Sequence, residues 1–333
     1  MINKRPHIIA EAGTNHGGDE NIARNLVDIA KEAGADSVKF QIIYPEGLYV
    51  PKIYNNGDLQ NNEVLEVRRS MMLEDNAYHR LNEYCRQEDI PMSASIFDEK
   101  GLSLLNDLNP PYIKIASCDL NNSYLINKAA ETGKKIIIST GMASMKEIEQ
   151  AVNNISLIGN DDIVLMHCVS IYPCPVDKIN LGFIDILKSE FSFPLGFSDH
   201  TESSIAAIAA VAKGVEWIEK HFTYNRKAEG FDHAYAMEPE QLKSYVEDID
   251  TAVSALQKPD NKIQDSENEV KQRARRGLYA ARDICEGEVL DENDILIVRP
   301  ENALCHNDIT KVVGKKAANP ISQFQPLSWQ DIS

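Results

Sequence analysis

Eight short apolar runs, each followed by a longer stretch with helical spacing, are what most restrict the fold of this chain. The runs are "HIIAEAG" (7–13), "SVKFQ" (37–41), "PMSAS" (91–95) and "YIKIAS" (112–117), then "KIIIST" (135–140), "DIVLMHCV" (162–169), "PLGFSD" (194–199) and "WIEKHF" (217–222). Between them apolar residues recur every three or four positions, as at Ile22, Leu26, Ile29, Ala30 and Ala33, or Ile148, Ala151, Val152 and Ile155. Strand–helix alternation demands right-handed βαβ units and a parallel sheet. Eight such units within about 255 residues fit an α/β fold of one kind, the closed (β/α)8 or TIM barrel. An open doubly wound sheet is the competitor, but "AEAGTNHGG" after the first run lacks the G-x-G-x-x-G spacing of its phosphate loop.

Two segments break the rhythm. Residues 42–73 make an unusually long connection after the second strand, aromatic and Asn-rich, on the face where barrel loops carry function. Residues 256–276, "LQKPDNKIQDSENEVKQRARR", are polar and charge-mixed and read as a linker, in part helical. Beyond them the pattern changes to short alternating runs with turns at Glu286-Gly287 and Asp291–Asp294. The expected organisation is a barrel over 1–255, a linker over 256–276 and a small, mostly-β domain over 277–333.

Composition excludes several partners. A net charge of −17 without clustered Lys and Arg argues against nucleic acid. No apolar stretch approaches a membrane span and "MINKRPHIIAEAG" has no secretory h-region, so no membrane association is expected and the cytoplasm is the expected location. The six scattered cysteines, without CxxC pairs, suit free thiols in a reducing compartment.

In a barrel, functional side chains gather at the C-terminal strand ends. Here those ends carry Glu11; Lys39 and Gln41; Ser93 and Ser95; Lys114, Ser117 and Asp119; Ser139 and Thr140; His167, Ser170 and Tyr172; Ser198, Asp199 and His200; and Glu219, Lys220 and His221. Lysine is rarely buried without a partner, so Lys39 and Lys114 inside apolar strands call for an anion. With Ser95, Ser117, Ser139 and Ser198 around the same rim, the chemistry is that of a phosphate or carboxylate pocket, against the alternative that each is merely solvated. His200 and His221 close the adjacent seventh and eighth strands. Two neutral imidazoles there suit an open divalent-metal site, with Glu11 one strand further round, or else two hydrogen-bonded structural histidines. His16 and His233 fall in loops and are expected to be exposed.

The segments "IAEAGTNHGGD", "ADSVKFQ", "YIKIASCD", "IIISTGM", "LMHCVSIYPCP", "GFSDHT" and "IEKHFT" together resemble the sialic acid synthase family. The C-terminal "RARRGLYAARDICEGEVLDENDILIVRP" resembles the antifreeze-like (SAF) domain that follows the barrel in that family. The resemblance implies condensation of phosphoenolpyruvate with an N-acyl hexosamine to a nine-carbon 2-keto acid. It implies a metal, Mn2+ or Mg2+, on His200 and His221, and a phosphoenolpyruvate pocket of Lys39, Ser95, Lys114, Ser117, Ser139, Ser170 and Ser198. It implies Glu11 as the catalytic carboxylate, and Gln41, Tyr172 and Asp232 on the sugar side. Arg299, in "IVRPEN", matches an arginine that reaches the partner's barrel, which implies a domain-swapped homodimer.

Three positions depart from the family's usual residues: Asp119 for Glu, Ser170 for a frequent Asn, and "EGFD" for "GPD" before Asp232. The first and third fall near the expected sugar, so neuraminate-, legionaminate- and pseudaminate-type acceptors all stay open. Two rival readings remain at this point. One is a synthase of a phosphorylated sugar, for which Lys52, Arg68 and Arg69 in the 42–73 segment would supply positive charge. The other is a non-catalytic glycan- or ice-binding protein.

Overall fold

The eight runs pair edge to edge, in parallel, and close on themselves. The computed structural model describes residues 4–256 and 263–333. Its barrel strands are β1 (His7–Gly13), β2 (Ser37–Ile42), β3 (Met92–Ile96), β4 (Ile113–Ile115), β5 (Ile136–Ser139), β6 (Ile163–His167), β7 (Leu195–Asp199) and β8 (Trp217–His221), each hydrogen-bonded to the next, with β8 returning to β1. The fold is the (β/α)8 barrel.

Strand alternation decides what lies inside. On several strands the inward series runs from apolar below to polar above: Ile9 then Glu11 on β1, Ile137 then Ser139 on β5, Gly196 then Ser198 on β7. Ile9, Tyr112, Ile137, Val164 and Met166 form a separate, fully buried cluster that plugs the interior. The outward series packs on the helices as the main core, for example Ile8, Ala10, Val38, Phe40 and Ile138 against Leu26, Ala30, Leu105 and Ile126. Helix starts are fixed locally: Asp19 caps Glu20–Glu32 by accepting from the Asn21 amide, and Ser144 with Glu147 forms a capping box on Met145–Leu157.

The long 42–73 connection is built from a turn of helix (Pro45–Leu48), an exposed hairpin (Lys52–Asn55 with Asp58–Asn61) and a helix over Glu63–Ser70. Leu65 is the buried anchor of that last helix.

The chain divides into two compact units, Met1–Lys258 and Pro259–Ser333. The described part of the second opens with an exposed helix, Asp265–Ala274, inside the segment read as a linker. Strands β9 (Gly277–Ala280) and β10 (Ile295–Val298) pair antiparallel, over a small core of Leu278, Ile284, Leu290, Leu304, Ile321 and Leu327. All six cysteines are free thiols. Among the described residues no helix is long and apolar enough to cross a membrane.

Candidate active site

The upper, polar ends of the inward series line one cavity of ≈ 640 Å³, a size suited to a small ligand. Thirteen sequence-expected residues meet there: Glu11, Lys39, Gln41, Ser95, Lys114, Ser117, Ser139, Ser170, Tyr172, Ser198, His200, His221 and Asp232. Arg299 belongs to the second unit. It is exposed, just beyond β10, and has no hydrogen bond or ion pair among the described residues.

Four buried charges form the floor. Lys39 pairs with Glu11 and lies 3.5 Å from Glu219, while Lys114 lies 3.9 Å from Glu219. The anion required by two buried lysines is thus supplied in part by the chain's own carboxylates. Hydroxyls complete the shell: Lys39 Nζ donates to Ser95 Oγ at 3.0 Å, and Lys114 Nζ to Ser139 Oγ at 2.6 Å. Ser198 Oγ donates to Glu219 Oε1 at 2.9 Å. Ser117 Oγ lies 3.1 Å from Cys168 Sγ and accepts from the Gly141 amide at 3.2 Å.

The two carboxyls titrate apart. Burial, together with the neighbouring charge of Glu219, pushes Glu11 up to about 7 in spite of Lys39. Burial would raise Glu219 as well, but Lys114 and Lys39 together hold it well below the usual carboxylate range. The difference follows from geometry, since Glu219 has two lysines and Glu11 has one. Burial draws the Lys114 ammonium below its ordinary value.

Beside this cluster, His221 pairs in register with Glu11, and His200 and His221 stand with ring centres 5.6 Å apart. The Tyr172 ring packs 4.2 Å from His200, and Tyr235 lies 5.4 Å from His221. Burial lowers both imidazoles, His200 to about 4, so both are neutral at pH 7. His200 Nδ1 is 2.7 Å from the Val169 carbonyl, which fixes the proton on Nδ1 and leaves Nε2 as a lone-pair donor. His221 Nδ1 is buried without a hydrogen-bond partner, 3.8 Å from Asp232 Oδ2. Asp232 is oriented by the Tyr235 hydroxyl at 2.6 Å. Among the described residues no three His, Cys, Asp or Glu side chains are placed to hold an ion alone. The pair fits a two-point anchor whose remaining positions are taken by water and substrate oxygens.

The family model for the NeuB family matches residues 26–261, and the SAF domain model matches residues 275–333. The chain belongs to the NeuB family. Among relatives of this family member, the pseudaminic acid synthase of Helicobacter pylori is 36% identical over 98% of this chain and 98% of its own. The N,N'-diacetyllegionaminic acid synthase of Legionella pneumophila is 33% identical over 98% of this chain and 94% of its own. The crystal structure of N-acetylneuraminic acid synthetase from Leptospira borgpetersenii serovar Hardjo-bovis, in complex with citrate, superposes with a TM-score of 0.72 and 35% identity, covering 80% of this chain and 90% of that one.

Several expectations need correction. His16 and His233 are buried, each 1% exposed. His16 Nδ1 accepts from the Gly18 amide at 3.1 Å, and His233 Nδ1 lies 2.6 Å from Thr223 Oγ1, so both loops fold back over the barrel end. Lys220, His167 and Asp199, read as strand-end candidates, point outward. Lys220 and Asp199 pair beneath Tyr245, whose hydroxyl donates to Asp199 at 2.9 Å. Asp119 is buried and accepts from Asn122 instead of lining the cavity, whereas Phe231 does line it.

Glu219, in the sequence only a strand-end residue without a role, proves central to the cavity floor. Its signal was available: it sits two residues before His221 on β8, so both share the inward face. Arg68, which the sequence offered only as positive charge for a phosphorylated sugar, and Tyr235 also line the cavity; both lie in connections between barrel strands, outside the strand alternation that marks the other lining residues.

Proposed function

We propose that this NeuB-family chain is a nonulosonic acid synthase, condensing phosphoenolpyruvate with an N-acyl hexosamine. C3 of phosphoenolpyruvate attacks the open-chain sugar aldehyde, forming the C–C bond, and the aldehyde oxygen takes a proton. Water adds at C2, and the C2–O bond to phosphate breaks, releasing phosphate and a nine-carbon 2-keto acid. The reaction is that of a C–C bond-forming transferase. One observation carries the reading: two buried lysines, five serines and two buried imidazoles converge on a single cavity.

Lys39, Lys114 and the hydroxyls of Ser95, Ser117, Ser139, Ser170 and Ser198 hold the phosphate and carboxylate of phosphoenolpyruvate. Ser170 Oγ is buried without a partner and so is available to an incoming oxygen. Glu11, poised near neutrality, donates the proton to the aldehyde oxygen. Gln41 donates to Glu11 Oε1 at 2.9 Å and orients it. Gln41, Tyr172 and Asp232 contact the sugar. His200 and His221 would hold the divalent ion, manganese or magnesium, which when bound supplies Lewis-acid polarisation at the aldehyde oxygen. Arg299, exposed on the second unit, contacts the sugar's acyl group in the partner's barrel of a domain-swapped homodimer. The enzyme works in the cytoplasm.

Of the three cations that could read a phosphorylated sugar, Arg69 is engaged at the surface by Glu46 and Glu66, and Lys52 is exposed on the hairpin. Arg68 alone of the three lines the cavity, which favours an unphosphorylated acceptor. The test is phosphate release from phosphoenolpyruvate with Mn2+ and a panel of N-acetylmannosamine, 2,4-diacetamido-trideoxyhexoses and hexose phosphates. Release with an acetamido sugar is expected. No release with any acceptor would leave a non-catalytic glycan-binding protein.

A further inference from the structure

We propose that Arg68, backed by Phe231, is a residue that selects the acceptor from within its own barrel, by donating to the carbonyl oxygen of an acylamino substituent in the cavity, in addition to the contact assigned above to Arg299. The inference rests on the synthase reading and deepens it.

Arg68 comes from the helix over Glu63–Ser70, in the long connection after β2. Its guanidinium carbon lies 3.5 Å above the centre of the Phe231 ring, a cation–π contact that closes one face of the group. Its Nη1 donates to Thr14 Oγ1 at 3.0 Å. Among the described residues no carboxylate lies within ion-pair distance of it, and its Nε is buried with no hydrogen-bond acceptor. Arg69, its neighbour in sequence, has two carboxylates. In a chain of net charge −17, an arginine at the cavity wall without a carboxylate, and with a buried donor unused, is arranged to meet an oxygen that arrives with a ligand.

The class of that oxygen follows from the surroundings. Asp232 follows Phe231 directly, and its Oδ2 is 2.7 Å from the place a Cβ would take on Gly13, the residue before Thr14. The guanidinium and the Asp232 carboxylate therefore flank the same Gly13–Thr14 step. A phosphate there would face the Asp232 charge. An acylamino group presents a carbonyl to the arginine and an N–H to the carboxylate, so both protein groups find complements. Phe231 adds an apolar wall for the acyl methyl.

Steady-state kinetics of Arg68→Ala, Arg68→Lys and Phe231→Leu test this, with the acetamido sugar that the wild type turns over. Loss of a hydrogen bond from a charged donor is expected to raise the KM for sugar by about tenfold to a hundredfold. The KM for phosphoenolpyruvate should stay within about twofold, and Arg68→Lys should recover part of the loss. Replacing the acylamino group by hydroxyl should penalise the wild type but hardly affect Arg68→Ala. An unchanged sugar KM in Arg68→Ala, or an equal rise in the KM for phosphoenolpyruvate, overturns the assignment. So does a wild-type preference for a hexose phosphate that Arg68→Ala abolishes, because the group read would then be phosphate. These outcomes are separate from failure of the synthase reading, which would show as no phosphate release by the wild type.

Discussion

Ser198 and Glu219 stand directly opposite each other on β7 and β8, and the Ser198 hydroxyl donates to the Glu219 carboxylate at 2.9 Å. The same carboxylate faces Lys39 and Lys114. One buried group therefore orients a hydroxyl of the proposed phosphoenolpyruvate pocket and balances the two lysines assigned to it. Replacing it by an amide leaves the lysines in charge excess. Glu219→Gln is expected to bind phosphoenolpyruvate more tightly by calorimetry, while kcat falls by about a hundredfold or more. Unchanged binding and rate together would remove Glu219 from the site chemistry.

Glu11 titrates near neutrality because it is buried beside Glu219 with one lysine for support. It is protonated below about 7 and ionised above. In the proposed role of proton donor, it should make kcat/KM fall as pH rises through that value. Glu11→Gln should lose this limb along with most of the rate. A limb that rises instead would assign Glu11 as the base that activates water.

His200 offers Nε2 and His221 an unpartnered Nδ1. Chelation should abolish turnover, and Mn2+ should raise the melting temperature of the wild type. His200→Ala is expected to lose both responses, with Mn2+ affinity down by about tenfold to a hundredfold as read by paramagnetic resonance. An unaltered Mn2+ affinity in that variant would remove His200 as a ligand.

Gly141 has room only because it has no side chain. A Cβ there would stand 2.5 Å from Ser170 Oγ and 2.8 Å from both Cys168 Sγ and Ser117 Oγ. Gly141→Ala should displace the phosphate-side hydroxyls and raise the KM for phosphoenolpyruvate by about tenfold, with little change in the KM for sugar. A rise confined to the sugar KM would contradict this division of the cavity.

Burial holds the His16 imidazole down at about 4, against an unfolded value of about 6.5. Between those values the unfolded chain binds a proton that the folded chain refuses. Its contribution is therefore intact above about pH 6.5 and is lost as pH falls towards about 4, up to about 3 kcal/mol. Urea unfolding across this window should show a shallower pH dependence in His16→Gln. An identical slope in both proteins would mean that His16 is protonated in the fold.

The eight strands and the inward polar ends were legible in the sequence because two periodicities, about 3.6 and about 2, act locally and repeat. Once eight βα units are counted, closure places Lys39, Lys114, Ser198, His200 and His221 at one mouth. Sequence order could not show that the lysines already have carboxylate partners. The Lys39–Glu219 contact joins residues 180 positions apart (219 less 39), and only the closed barrel brings them together. Nor could it show that His16 and His233 are covered, since loop burial depends on what the loop folds back onto. Arg68 is the clearest case: its sequence neighbour Arg69 has the same charge, yet one faces the cavity and the other faces Glu46 and Glu66. The sequence by itself determined the strands, their inward faces and the chemical types at their ends. The tertiary structure alone decided which charges meet and which arginine faces the cavity, because those outcomes depend on distances between elements far apart in the chain.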